Sequence, residues 1–256
     1  MLVRQGMRIL LANDDGFYAR GLPPLAEVLS ELGEVWVVAP EREQSARSHA
    51  LTMHKPLRAT EQRPRWFSVS GTPADSVYLG IHHLMPQPPD VVVSGINRGA
   101  NLGNDVLYSG TVAAAMEGAL LGLPSLAISL YFQPGTPKDL LHFDTAAVVA
   151  KQVVEGVLAH GSEPRTVLNV NVPDRAWDDL RGIVPARLGI REYEPLVDAR
   201  EDPRGRPYYW IGGTHSSFAP IQGSDGPLCQ QGYATVTPLS ADLTHSGALA
   251  DLAWLR

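Results

Sequence analysis

The chain has 256 residues, a formal net charge of −6 and a single cysteine, Cys229. This length suits one large domain, or one domain with a long appendage. The acidic net charge and the lack of any Lys/Arg run disfavour a nucleic-acid polymer as partner. An anionic ligand would need a local source of positive potential, such as a metal ion or a helix N-terminus.

The cysteine count and the apolar runs indicate the compartment. A single cysteine excludes an internal disulfide and a cysteine-based zinc site, and it fits a reducing environment. No stretch approaches the roughly 20 apolar residues that a membrane span needs. The apolar run near the N-terminus is too short for a signal peptide. We therefore expect a cytoplasmic protein without a membrane partner.

The first part of the chain alternates strand and helix patterns. Short buried apolar runs predict strands at residues 7–11, 35–39, 65–70, 90–96, 125–130 and 166–172. Helical patterns between them predict helices at 25–32, 73–83, 111–121 and 146–160. This alternation predicts right-handed crossovers and an α/β fold with a doubly wound, mostly parallel sheet.

The pattern changes after Pro173, where helical periodicity fades and Gly, Pro, Tyr and Trp increase. Strands are predicted at residues 183–188, 207–210 and 233–237, and a short helix at 247–255. We expect a catalytic core at 1–175 and, at 176–256, an extended β-rich arm with a C-terminal helix. Such an arm cannot easily build its own core, so we expect it to pack on another subunit.

Two adjacent carboxylates, Asp14 and Asp15, follow the first predicted strand. Ligands of open α/β sheets bind beyond the carboxyl ends of the strands. The two charges repel each other, and a divalent cation bound by oxygen ligands, such as Mg²⁺ or Mn²⁺, would relieve that repulsion. An acidic turn that caps the next helix is the alternative. After the second strand, Ser45 offers a hydroxyl ligand on a polar segment, or belongs to an ordinary surface loop.

Residues 94–111 form an unusual segment that follows the strand predicted at 90–96. Its glycines permit close backbone approach, and its asparagines supply neutral oxygens and amide donors. Ser109, Gly110 and Thr111 then open an alanine-rich helix, whose N-terminal amides are suited to bind phosphate. The spacing matches neither the dinucleotide fingerprint nor a P-loop. A structural loop with capping residues is the alternative, but long loops at this edge are more often functional.

Several motifs, taken together and in order, resemble the SurE survival-protein family, the stationary-phase nucleotidases. They are ILLANDDGFYARGLPPL, VVAPEREQSARSHALT, SGINRGANLGNDVLYSGTVAAAMEG and GLPSLAIS, with GTPADSVYLG and GYATVTPLSADLT in addition. The chain departs from the usual family pattern at Ala12, where Ser or Thr is usual, and at Ala46, where Gly is frequent. Neither departure removes a proposed ligand.

The resemblance implies a nucleoside 5'-monophosphate phosphohydrolase with one divalent metal ion per subunit, with side activity on short polyphosphate. It also implies a Rossmann-like core and an arm exchanged within a homodimer or homotetramer. The family's metal ligands match Asp14, Asp15, Ser45 and Asn97. Its phosphate contacts match Asn101, Ser109, Gly110 and Thr111.

Asp14, Asp15 and Asn101 are the predicted catalytic residues. Direct attack by water is favoured over an aspartyl-phosphate intermediate, which usually requires Asp-x-Asp after the first strand. A non-catalytic nucleotide sensor is the alternative function. A sensor would not need Asp14, Asp15, Ser45 and Asn97 together, so their joint presence favours an enzyme.

Overall fold

The computed structural model describes residues 6–133, 135–194, 196–212 and 216–255. Its strands are β1 (Arg8–Ala12), β2 (Glu34–Pro40), β3 (Ala59–Arg63), β4 (Trp66–Val69), β5 (Val91–Arg98), β6 (Ser125–Tyr131), β7 (Thr166–Pro173), β8 (Ile183–Pro185), β9 (Arg191–Tyr193), β10 (Leu196–Glu201), β11 (Pro207–Gly212), β12 (Ser216–Phe218) and β13 (Ala234–Ser240). Its α-helices are α1 (Leu22–Ser30), α2 (Pro73–Leu79), α3 (Gly110–Leu120), α4 (Phe143–His160) and α5 (Asp225–Gln230).

In the described part of the chain, nine strands form one sheet in the order β3-β4-β2-β1-β5-β6-β7-β13-β8. The six strands from β4 to β7 are parallel, as the alternation of strands and helices predicted. The chain leaves β1 towards β2 on one side and later returns to β5 on the other. The carboxyl ends of β1 and β5 therefore border the switch point of a Rossmann-like sheet, where α/β proteins bind ligands.

Both faces of the sheet are covered, which explains its continuous apolar strands. Along β1, Ile9 and Leu11 pack in the core that contains α1 and α4. Leu10 and Ala12 point to the opposite face and pack in the core beneath α2 and α3. Successive side chains of a strand alternate between faces, so a strand covered on both sides must be apolar throughout.

Helix α3 packs unusually close to the sheet. A Cβ atom at Gly118 would lie 2.6 Å from the Ser125 hydroxyl oxygen and 2.7 Å from the side chain of Val92. Most residues of α3 are buried, and its many alanines let the helix approach the strands without large side chains between them. The alanine-rich sequence therefore reflects a nearly enclosed helix, and its N-terminus is held firmly at the switch point.

The C-terminal segment is more closely integrated than an appended arm. β13 pairs antiparallel with β7, and β8 pairs with β13, so both strands extend the core sheet. Sequence periodicity predicted strands here but could not identify their partners, because pairing across about 70 residues leaves no local pattern. The predicted helix at 247–255 consists of 3-10 turns at Ser246–Ala248 and Ala250–Leu255 instead. These turns are mostly exposed, and a short helix without packing is marginal in water.

The β10–β11 hairpin leaves large apolar side chains in solvent. Tyr209 and Trp210 are 62% and 64% exposed, and Ile211 is 92% exposed. Contiguous exposed apolar side chains mark interaction surfaces. The exchange of this region between subunits, and the division of the chain at residue 175, remain predictions. None of the helices among the described residues is long and apolar enough to cross a membrane.

Two variants separate the roles of the C-terminal strands. Truncation after Pro185 removes β13, which carries the hydrogen-bonded edge of β7, so we expect an aggregated or poorly stable protein. Replacing residues 196–212 by a short Gly-Ser linker keeps β13 and removes only the exposed hairpin, so we expect a folded monomer. Thermal melting and light scattering after size exclusion measure both outcomes. A truncated chain that melts like the full chain, or a linker variant that still associates, would contradict this division of roles.

Candidate active site

A cleft of about 350 Å³ opens at the carboxyl edge of the sheet, where β1 and β5 end. Six predicted site residues line it, namely Asp14, Asp15, Ser45, Asn97, Asn101 and Ser109. Further lining residues were not predicted from the sequence, and these are Glu43, Ala46, Arg98, Ala100, Asp105, Tyr108 and Tyr193. Gly110 and Thr111 do not line the cleft, but they lie directly against Asp14. The fold thus brings all eight predicted residues to one place.

Asp14 is the most enclosed carboxylate of the cleft, with 4% of the residue exposed. The hydroxyl of Thr111 donates a hydrogen bond to its Oδ1. Burial raises the pKa of Asp14 to about 6, against the opposing effect of this hydrogen bond, and the charge of Asp15 adds to the rise. The ionised form is therefore destabilised at neutral pH, which is the condition that a bound cation relieves.

Asp15 lies beside Asp14 and is oriented by the end of β5. The backbone N–H of Arg98 donates to its Oδ2 at 2.7 Å. Burial raises the pKa of Asp15, while the amide and guanidinium of Arg98 oppose that shift and the charge of Glu43 adds to it. Negative charge therefore converges on the end of β1, with Arg98 as the cation that lines the same cleft.

The donor set fits a hard divalent cation. The side-chain nitrogen of Asn97 donates to the carbonyl of Gly99 at 2.9 Å, which leaves the amide oxygen as its cation-binding end. The exposed Ser45 hydroxyl donates to Glu43 at 2.8 Å. No group of three or more His, Cys, Asp and Glu side chains suited to a metal occurs among the described residues, so such a cation needs neutral oxygens besides Asp14 and Asp15. Carboxylates with neutral oxygens are the ligands typical of Mg²⁺ and Mn²⁺.

The N-terminus of α3 touches the carboxylate pair. Ser109 is the N-cap, and its hydroxyl accepts the Val112 N–H at 3.0 Å. A Cβ at Gly110 would lie 2.8 Å from the Cβ of Asp14 and 2.9 Å from its Oδ2. Only glycine permits this approach, which places the N-terminus of α3 and the positive end of its dipole beside the proposed cation site. The backbone N–H of Thr111 is hydrogen-bonded to Asp14.

The loop after β2 is held against both sides of the cleft. The N–H of Gln44 donates to the carbonyl of Asp14 at 2.8 Å, and the hydroxyl of Ser48 donates to the carbonyl of Leu107 at 2.8 Å. Between them, Ala46 has a φ of +57°. This left-handed conformation favours glycine, so the departure from the Ser-Gly pattern carries a strain of about 1–2 kcal/mol.

Side chains from the C-terminal segment support the glycine-rich loop, which comprises residues 94–111. The carboxylate of Asp225 is fully buried and accepts the N–H groups of Gly103 at 2.8 Å, Gly189 at 2.9 Å and Gly226 at 2.8 Å. Arg191 and the hydroxyl of Tyr193 both donate to Asp105. These residues could not be predicted from the sequence, because nothing in their local pattern marks a contact about 90–120 positions away.

A second cleft of 420 Å³ adjoins the first. The two clefts share Asp15, Glu43 and Arg98. Its other walls include the rings of Tyr18 and Phe143, and Tyr18 is 82% exposed. The candidate site thus continues beyond the carboxylates into a space of ligand size, bordered by aromatic side chains.

The parallel sheet, the carboxylate pair at its switch point and the adjacent helix N-terminus define a Rossmann-like α/β protein with a candidate site for a cation and an anionic ligand. The model of the family described as "Survival protein SurE" matches residues 9–195. The chain belongs to the SurE family.

Individual relatives match over nearly the whole chain. Proteins described as "5'-nucleotidase SurE" are 50% identical to it in Geotalea uraniireducens (strain Rf4), over 96% of this chain and 98% of that protein, and in Myxococcus xanthus (strain DK1622), over 96% and 92%. The crystal structure of the Sure protein from Aquifex aeolicus superimposes with a TM-score of 0.86 at 40% identity, covering 97% of this chain and 99% of the other. The expected family and α/β fold are confirmed.

The contact between Gly110 and Asp14 leads to a specific prediction. Gly110→Ala places a methyl group inside the contact distance, so it separates the helix N-terminus from the carboxylates, and we expect activity to fall about 100-fold. Gly156→Ala in α4 is the matched control, because a Cβ there meets nothing within 4 Å. The control should keep activity and gain up to about 1 kcal/mol of stability from helix propensity. Phosphatase assays and thermal melts measure both, and an active Gly110→Ala variant would show that the close approach is dispensable.

Proposed function

We propose that this chain is a 5'-nucleotidase that hydrolyses nucleoside 5'-monophosphates to nucleosides and phosphate with the help of a divalent metal ion. The observation that carries the proposal is the contact of Asp14 with the N-terminus of α3, which brings a cation site and an anion site together. Membership of the SurE family, with relatives described as 5'-nucleotidases, supports the same reaction.

The metal would be held by Asp14, Asp15, Ser45 and Asn97. These four side chains suit a divalent metal ion because all of them offer oxygen atoms as ligands. In addition, burial disfavours the ionised form of both carboxylates unless a cation is bound. When bound, a divalent cation polarises a phosphoryl oxygen and neutralises charge that develops during transfer. The oxygen donors favour Mg²⁺ or Mn²⁺, with one ion per subunit.

The phosphoryl group would lie in the cleft that Asp14, Asp15, Asn101 and Ser109 line. The N-terminus of α3 at Gly110 and Thr111, directly behind Asp14, would favour an anion there through the positive end of the helix dipole. Asn101 contributes an amide N–H, and Ser109 lines the same cleft. Hydrogen-bond donors that already point to the oxygens on which negative charge develops supply the largest part of catalysis in phosphoryl transfer.

Water would attack phosphorus directly, with a carboxylate of the Asp14–Asp15 pair as the proton acceptor. The hydroxyl of Thr111 orients Asp14 through Oδ1, and the Arg98 amide orients Asp15 through Oδ2. The phosphorus–oxygen bond to the nucleoside breaks as the new bond forms, and the leaving oxygen takes up a proton from solvent water to give the free hydroxyl. The nucleoside occupies the adjoining cleft beside Tyr18. The enzyme would work in the cytoplasm as a homodimer or homotetramer.

A substrate and metal panel tests this function. Phosphate release from nucleoside 5'-monophosphates, sugar phosphates and short polyphosphates is measured after chelation and after return of Mg²⁺ or Mn²⁺. We expect the nucleotides to be the best substrates and chelation to abolish turnover. Asp14→Asn and Asp15→Asn should each be inactive, yet melt at the same or a higher temperature without metal, because one repelling charge is gone. Nucleotide binding without turnover would favour the sensor instead.

Substitutions of two asparagines in the glycine-rich loop should change different properties, namely metal affinity and catalytic rate. Asn97→Asp adds a charge beside Asp14 and Asp15 and should change the affinity for Mn²⁺ measured by calorimetry. Asn101→Asp removes an N–H donor and places a negative charge against the phosphate, and loss of one such donor costs about 10²–10³ in rate. Its Mn²⁺ affinity should stay near that of the unmodified protein. Equal metal affinities and equal kinetic defects in both variants would refute this division of labour.

A further inference from the structure

Asn101 lies on the loop beyond β5, and its backbone is bound by side chains instead of by a neighbouring strand. Its N–H donates to the Oδ1 of Asn171 at 2.8 Å. Its carbonyl accepts the side-chain N–H groups of Asn171 at 3.0 Å and of Asn169 at 2.8 Å. Asn101 is only 6% exposed, so these backbone groups need protein partners.

Asn171 is fully buried, and both the oxygen and the nitrogen of its side-chain amide hydrogen-bond to the backbone of Asn101. A buried amide is costly unless it is hydrogen-bonded, so its position in the middle of a core strand requires a compensating role. Asn169 lies two positions earlier on β7, and side chains two apart on a strand point to the same face. Ser129 is the register partner of Asn171 on β6. The three side chains thus form one polar patch beneath Asn101.

The side chain of Asn101 is also fixed by this patch. Its Nδ2 donates to the hydroxyl oxygen of Ser129 at 2.7 Å. An amide nitrogen carries two N–H donors, so one remains for another acceptor. Since Asn101 lines the cleft with Asp14 and Ser109, the direction of this second N–H depends on how the backbone of Asn101 is held.

We propose that Asn171 is a positioning residue for phosphoryl transfer, which holds the backbone of Asn101 so that its free amide N–H is directed at the phosphoryl group. The proposal rests on the role of Asn101 in the proposed function. Asn171 itself does not touch the substrate. Its effect is transmitted through a rigid contact to the donor, and misplacement of a catalytic group by about 1 Å can cost about 100-fold in rate.

A double-mutant cycle tests the proposal. Asn171→Ala should lower kcat by about 10- to 100-fold and leave the calorimetric affinity for Mn²⁺ unchanged, because none of the proposed metal ligands contacts it. In an Asn101→Ala background, the same substitution should lower kcat by less than about threefold, since the donor that it positions is already absent. An equal loss in both backgrounds would show a general structural effect and overturn the proposal.

Thr235→Val is the matched control for packing. Thr235 is fully buried, is the register partner of Asn171 on β13, and its hydroxyl has no hydrogen-bond partner in the described residues. Valine has nearly the same shape as threonine, so this substitution should leave kcat unchanged. A comparable loss of kcat in this control would show that any disturbance of the sheet suffices, and would also overturn the proposal.

Two further outcomes separate this proposal from the function on which it rests. If Asn101→Ala keeps full kcat, Asn101 is not a phosphate contact, and the positioning role of Asn171 is refuted with it. If Asn101→Ala is impaired but the two substitutions have additive effects on kcat, only the positioning role of Asn171 is refuted. Should Asn171→Ala not fold, the cycle is run with Asn171→Leu. Leucine fills nearly the same volume and cannot hydrogen-bond to the backbone of Asn101, so a loss of kcat that disappears with Asn101→Ala is expected, and an additive loss is the refuting result.

Discussion

The candidate site depends on the close approach of α3 to the end of β1. At Gly110 there is no room for even a methyl group, because its Cβ would meet the side chain of Asp14. The Thr111 hydroxyl, one residue later, binds the same carboxylate. A buried anion and a helix N-terminus therefore share one small volume. The alanines of α3 and the absence of a side chain at Gly118 make this possible, since they let the whole helix lie close to the sheet.

Much of this arrangement could be predicted from the sequence, and the reason is geometric. Asp14, Asp15 and Asn97 each follow a recognisable apolar strand, and parallel strands deliver their carboxyl ends to one edge. Ser109 and Gly110 open a recognisable helix. Once the alternation of strands and helices is identified, these residues must converge. The family resemblance added which of them bind metal and which bind phosphate, and that assignment remains a prediction.

Other features could not be predicted, because they depend on pairing between distant segments. The residues at 233–237 were expected in a separate arm, whereas β13 lies in the core sheet beside β7. Asp225 stands at the start of a short helix, where a capping role is the ordinary interpretation, yet it binds the N–H of Gly103. The β3 strand has five exposed residues without apolar alternation, so no periodicity indicated it. In each case the partner, and not the local sequence, determines the structure.

The dependence of the glycine-rich loop on Asp225 has a consequence for the order in which the protein matures. Asp225 and Gly103 are 122 positions apart, and β13 follows Asp225 in the chain. During synthesis the parallel strands from β1 to β7 emerge long before these supports, and contacts of such high sequence separation form late. A nascent chain therefore carries its carboxylates and its glycine-rich loop without the groups that fix them until Asp225 and β13 have left the ribosome.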